Sequence, residues 1–161
     1  MHSEFSVRLA TVEDAKTVLS FIRKIAEYEK MTDEVVNSED LIREVVFGDN
    51  AAKVFLGEEN GKAVGFALFF ETYSTFVGRK GIHLEDLFVD PDCRGKGYGK
   101  ALFDAVAKYA ADGNYGRLEW VCLDWNTPSQ DFYFRLGAKR MDEWWIFRLD
   151  GKKLEKYKTE A

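Results

Sequence analysis

The chain has 161 residues, 46% of them hydrophobic, and a formal net charge of −5. That size and apolar content suit one domain with its own core. The acidic balance argues against a nucleic-acid partner, which selects for a basic face, and favours cationic ligands.

The predicted elements run as follows. Phe5 to Leu9 alternates as a first strand, and Thr11 and Asp14 offer a cap to a helix whose Ala15, Val18, Leu19, Ile22, Ile25 and Ala26 recur at helical spacing. It ends near Tyr28-Glu29-Lys30. Ser38 caps a second helix carrying Leu41, Ile42, Val45 and Val46, stopped by Gly48-Asp49-Asn50. Lys53 to Gly57 and Lys62 to Tyr73 read as hairpin strands turning at Asn60-Gly61, and Gly81 to Val89 follows as another strand. Ala101, Leu102, Ala105, Val106, Tyr109 and Ala110 form a helical stripe closed by Gly113-Asn114. Arg117 to Leu123, mostly apolar, reads as a central strand. Pro128 opens a helix over Ser129 to Leu136 that ends at Gly137, Arg140 to Leu149 returns as an aromatic-rich strand, and a short polar helix closes the chain. There is no repeat or linker. The order predicts a mixed α/β (α+β) sheet of six to seven strands flanked by about four helices, in a single domain over residues 1–161.

Leu84-Glu85-Asp86-Leu87-Phe88-Val89 leads through Asp90-Pro91-Asp92-Cys93 into Arg94-Gly95-Lys96-Gly97-Tyr98-Gly99-Lys100. Glycines at 95, 97 and 99 let successive N–H groups turn toward one anion, the following helix adds its positive end, and Arg94, Lys96 and Lys100 add charge. A Walker loop is excluded because Ala101 follows Lys100 and Arg94 stands at the first glycine; a dinucleotide fingerprint is excluded because the spacing is G-x-G-x-G. The loop resembles the R-G-x-G-x-G/A acetyl-coenzyme A pyrophosphate loop of the GCN5-related N-acetyltransferases.

Acetyl transfer to an amine needs a deprotonated amine, a polarised carbonyl and a proton for the leaving thiolate. Glu85 and Asp86 lie upstream of the loop; strict alternation sends them to opposite faces, so one sees the site unless a bulge re-aims the strand. Tyr133, among Phe132, Phe134 and Leu136, suits a packed tyrosine with a satisfied hydroxyl on composition, and a proton donor on chemistry.

The run L-E-D-L-F-V, then L-D-W-N-x-P-S-x-D-F-Y-x-x-L-G-A, then M-D-E-W, with the early Ala26-Glu27-Tyr28-Glu29-Lys30-Met31, resembles the spermidine/spermine N-acetyltransferase branch of that superfamily across nearly the whole chain. The resemblance implies Glu85 as general base acting through water and Tyr133 as the acid that protonates the coenzyme sulfur. It implies acetyl-CoA as cosubstrate, bound by Leu87, Phe88 and Val89 of the strand, by the loop from Arg94 to Lys100, and by Asn126 and Tyr133. It places Tyr28, Glu29, Ser74, Glu85, Asp86 and Trp144 around the amine, an aromatic and acidic lining that suits an ammonium. Polyamine-acetylating members carry an acid where this chain has Ser74-Thr75, as its thialysine-acetylating relatives do; its loss weakens the hold on a distant second ammonium. A homodimer is implied, with the aromatic strands near the C-terminus as interface.

Cys93 reads as an ordinary loop thiol and His2 and His83 are too scattered for a metal, so no metal is expected. The four tryptophans read as core and pocket packing. Two cysteines, no signal-peptide pattern at Met1–Phe5, and a longest apolar run of about eight residues against the roughly 20 that span a bilayer predict a soluble cytoplasmic protein with no membrane partner. The expected acceptor is a small diamine, polyamine or thialysine-like amine; a protein lysine or N-terminal acceptor, and a non-catalytic acetyl-CoA sensor, are the rivals.

Overall fold

The structure is a computed structural model that describes residues 4–159, arranged as two compact units that divide between Val121 and Cys122. Among the described residues the first unit holds one sheet in the order β1 (Phe5–Leu9), β2 (Lys53–Glu59), β3 (Lys62–Ser74), β4 (Arg79–Val89), β5 (Leu118–Trp120). The first four are antiparallel neighbours and β5 runs parallel to β4. Helix α1 (Ala15–Tyr28) precedes the hairpins, and α3 (Tyr98–Asp112) is the crossover that a parallel pair needs. Between α1 and β2, Ser38 caps α2 (Glu39–Leu41) by accepting from Leu41 N, and the chain continues not as the expected α-helix but as a wide π turn over Ile42–Gly48.

The two faces of the sheet have separate cores. On one, α1 lays Val18, Leu19 and Phe21 against Leu56, Phe66, Leu68 and Phe88; Phe21 and Phe66 stack at 5.3 Å, and full burial of a phenylalanine contributes about 1.5–3 kcal/mol. On the other, Tyr109 of α3 meets Phe55 and Phe69, and Phe103 meets Trp120. Both faces of β3 are therefore covered, which is why Val64–Phe69 reads as a continuous apolar run.

The second unit holds α4 (Thr127–Arg135) and α5 (Gly151–Glu155). Helix α4 ends as predicted at Gly137: Gly137 N donates to Phe134 O at 3.0 Å and Ala138 N to Tyr133 O at 3.1 Å, the paired bonds of a Schellman end. Arg140–Leu149 forms no strand. The expectation rested on aromatic and β-branched composition, which measures fit to a paired, half-buried surface, whereas Trp144, Trp145, Ile146 and Phe147 are 71–87% exposed. With the Arg117–Leu123 strand shortened to three residues, the described residues form five strands in place of the expected six to seven.

Helix α3 sits close because the strands beneath it carry glycine. A Cβ at Gly65 would lie 2.8 Å from the Phe88 carbonyl oxygen and 3.0 Å from Leu102 Cδ1, and backbone cannot yield as a side chain can. Gly65→Ala is expected to lower unfolding free energy by about 1–3 kcal/mol in urea titration; an unchanged midpoint would show that the sheet and helix have room to part.

Candidate active site

One extra residue in β4 organises the site. Phe70 faces His83 and Phe69 faces Leu84, but Leu68 then faces Asp86, so Glu85 is a bulge. Before it, odd-numbered β4 residues share the α1 face with Phe70; after it, even-numbered ones share that face with Leu68 and Phe66. Glu85 and Asp86 therefore both belong to one face. β5 pairs β4 only over Ile82–Leu84, ending where the bulge begins.

Helix α1 brings a third carboxylate. Its last turn closes with Met31 N to Ala26 O at 2.8 Å and Lys30 in the left-handed region (φ 60°), leaving Glu29 as the terminal residue. Burial, then Glu85, then Glu29 push the Asp86 carboxyl from its ordinary 3.8 to about 7, and burial with Glu85 pushes Glu29 upward too. Glu85 is 53% exposed, with Oε2 3.4 Å from Nε2 of His83, whose ring stacks on Phe70.

Beyond β4, Asp90 is held by Lys24 at 2.8 Å, and the chain enters α3 through Gly95 (φ 79°) and Gly97 (φ 83°). A Cβ at either meets nothing within 4 Å, so glycine is there for conformation. No side chain caps α3. Its first ladder bond is Ala101 N to Gly97 O, so the N–H groups of Tyr98, Gly99 and Lys100 precede the ladder at the positive end of a 15-residue helix.

The basic residues of the loop are tied to the protein. Lys96 Nζ lies 3.1 Å from Glu59, Lys100 Nζ 2.7 Å from Asp104, and the Tyr98 hydroxyl donates to Glu59 while its ring stacks on Phe5. Tyr98 thus contributes its main chain to the loop and its side chain to the core. Glu59, which no sequence pattern singled out, anchors the loop from the β2–β3 hairpin. Arg94 turns back: its guanidinium lies over the rings of Tyr28 and Phe88 at 5.3 and 5.4 Å, and Nε donates to Val89 O at 3.1 Å. The first unit therefore gathers Tyr28, Glu29, Glu85, Asp86, Phe88, Val89 and Arg94 at one end of β4, with Leu87 opposite Ala67 on the α3 face.

Ser74 stands apart, at the β3–β4 hairpin tip opposite Arg79, where its hydroxyl accepts from Val77 N and its carbonyl from Gly78 N. In the second unit, the buried Asn126 accepts from Ser129 N and caps α4, the helix that carries a half-buried Tyr133. Trp144 lies in the strandless segment, 72% exposed. His2 falls outside the described residues. A cleft of about 260 Å³ is lined by Lys53, Phe69, Glu71, Ile82 and Tyr109, none of them a predicted site residue. Among the described residues no helix is long and apolar enough to cross a membrane.

A mixed sheet whose bulged fourth strand feeds a glycine loop and helix is the fold of an acyl-coenzyme A-dependent transferase, and comparison with known proteins agrees. The profile of the Acetyltransferase (GNAT) family matches residues 17–138. Thialysine N-epsilon-acetyltransferase of Sus scrofa is 37% identical over 158 residues, 91% of this chain and 92% of that one. L-ornithine N5-acetyltransferase of Arabidopsis thaliana is 43% identical over 91 residues, 56% of this chain and 40% of that one. An integron cassette protein from the mobile metagenome of V. cholerae superposes with a TM-score of 0.80 at 25% identity, covering 94% of this chain and 96% of that one. The chain belongs to the GNAT family and is an acetyltransferase of its diamine-acetyltransferase branch, a family whose acyl donor is acetyl-CoA.

The raised Asp86 carboxyl has a stability consequence. Between pH 3.8 and about 7 the folded protein holds a proton there that the unfolded chain has lost, so this group's contribution falls as pH rises and stays low above 7. Asp86→Asn is expected to stabilise the protein at pH 8, by at most about 4 kcal/mol at ~1.4 per pH unit, and by little near pH 4. Urea unfolding at both pH values checks this; a pH-independent difference would mean Asp86 is ionised normally.

Proposed function

We propose that residues 1–161 form one acetyltransferase domain that moves acetyl from acetyl-CoA directly, in a ternary complex, to the primary amine of a small acceptor, either a diamine or an amino acid of the thialysine or ornithine kind. The observation that carries this reading is the bulge, which sets Glu85 and Asp86 on the α1 side of the strand that ends in the glycine loop, where Glu29 at the end of α1 adds its charge. Relatives named for thialysine and ornithine support the acceptor class, and a family match running from 17 to 138, through both compact units, supports the single domain.

An alkylammonium of pKa about 10.4 is neutral at pH 7 only at a cost of about 4–5 kcal/mol. Asp86 and Glu29, with the face of Tyr28, hold the ammonium. Glu85, open to water, takes the ammonium proton through a water molecule and passes it to solvent. The freed nitrogen attacks the thioester carbon, the C–N bond forms, the C–S bond breaks, and the Tyr133 phenol gives its proton to the departing sulfur, while the surplus proton on the new amide nitrogen leaves through water and the phenolate regains one from solvent. Past Leu84 the β4 edge has left β5, so peptide groups at Leu87, Phe88 and Val89 serve the pantetheine amides and the acetyl oxygen. Main-chain N–H groups from Gly95 to Lys100 receive the diphosphate, Arg94, Lys96 and Lys100 exchanging their present partners to add charge, and Asn126 adds a further coenzyme contact. Self-association into a homodimer uses the exposed aromatic segment from Met141 to Leu149.

A thiol-release assay with acetyl-CoA and putrescine, spermidine, thialysine or lysine tests the reading, and silence with all four removes it. Tyr133→Phe is expected to lower kcat by roughly 10²-fold while leaving coenzyme affinity nearly constant; a fully active variant assigns the proton to another donor.

A further inference from the structure

The amine site accounts for one end of an acceptor, and the same face of the sheet carries a second polar feature one strand over. Glu119 of β5 is the register partner of His83. Arg117, the residue just before β5 and two before Glu119 on the same side, lays its stem over Gly81: a Cβ there would lie 3.2 Å from Arg117 Cγ and 2.7 Å from Thr72 Oγ1. Thr72 shares its face with Phe70 and Leu68, so Arg117, Glu119, His83, Glu85 and Asp86 all lie on that face. Arg117 Nη1 stands 3.6 Å from Glu119 Oε1, with 42% and 50% of the side chains exposed.

Such an exposed pair contributes about 0–1 kcal/mol to the fold, so its partners are free to be exchanged at little cost. The separation also fits. With Glu85 looped out, Asp86 lies two ladder positions from His83, about 7 Å along the strand, and β5 is about 4.8 Å to the side, which puts Glu119 about 8 Å from Asp86 at the backbone. The side-chain nitrogen and α-nitrogen of an extended lysine-like molecule are about 6–8 Å apart, counting covalent bonds of about 1.5 Å. An α-ammonium and α-carboxylate are the mirror of the carboxylate and guanidinium on β5.

The geometry points to Arg117 and Glu119 as the pair that recognises the head group of an amino-acid acceptor: Glu119 takes the α-ammonium and Arg117 the α-carboxylate, while the reacting amine lies at Asp86. This rests on the acetyl-transfer reading given above and extends it from the reacting nitrogen to the rest of the acceptor. A diamine uses Glu119 alone. A monoamine uses neither.

Three acceptors that add one charge at a time test the assignment: n-pentylamine, cadaverine and lysine, compared by kcat/KM at saturating acetyl-CoA. Wild type is expected to prefer lysine to cadaverine and cadaverine to pentylamine. Arg117→Met, which keeps the stem over Gly81, is expected to lower the lysine-to-cadaverine ratio about tenfold, and Glu119→Gln the cadaverine-to-pentylamine ratio by a similar factor, the effect of one charged hydrogen bond. Because each variant is judged by a ratio, a general loss of folded protein does not imitate the result. Both ratios unchanged, or no wild-type preference for lysine over cadaverine, would overturn the assignment while leaving acetyl transfer intact. No turnover of any of the three by wild type would overturn the functional reading and this inference with it.

Discussion

The arrangement depends on a parity change in β4. A regular strand would turn Glu85 and Asp86 to opposite faces, one against α1 and one against α3, where an unpaired carboxylate would be costly. The extra residue at Glu85 puts both on the α1 side and restores the alternation, so that Phe88 still enters the core and Val89 still packs beside Gly65. The same residue marks the end of pairing with β5. One insertion thus gathers negative charge at the strand and frees the strand edge beyond it, the two features on which the proposed acetyl transfer to an amine draws together.

The site is electrostatically divided. A positive helix end and glycine loop follow β4 by a few residues, while three carboxylates precede them, and without control these would collapse onto one another. Lys96 is taken by Glu59, Lys100 by Asp104, Lys24 by Asp90, and Arg94 by two aromatic faces and a carbonyl. None of these cations neutralises Asp86, which is why its carboxyl remains raised by burial and by like charge rather than lowered by a partner. On the proposed reading, an incoming ammonium meets a site already paying for its own negative potential.

Much of this was legible where local chemistry dictates structure. Asn60-Gly61 forms the hairpin turn with both residues at positive φ, Ser38 caps its helix, and the glycine loop opens α3 as its spacing requires. The acidic pair was visible as a break in an apolar strand, but its common face was not, since a bulge is decided by pairing and not by composition. Helix ends show the same limit: α3 closes with Asn114 rather than Gly113 in the left-handed region, and α1 with Lys30, whose long side chain carries no such signal. Arg140–Leu149 looked like a strand because its residues suit one, yet a strand exists only where a neighbour supplies its hydrogen bonds. Glu59, Arg117 and Glu119 are ordinary charged residues in sequence and gain meaning only from the register of β2, β4 and β5.

That register also gives a physical reading to Ser74 in place of an acid. Ser74 faces Arg79 at the hairpin tip, seven residues from Asp86 with one of them bulged, which is about 20 Å along the strand. The two nitrogens of a four-carbon diamine are separated by about 6 Å, so with its reacting nitrogen at Asp86, as proposed, its distal charge does not reach the tip. A residue at 74 can discriminate only among long acceptors, while one on β5 discriminates among short ones. A serine whose hydroxyl is engaged in the turn, together with a carboxylate and a guanidinium at Glu119 and Arg117, therefore fits the proposed compact acceptor better than an extended one.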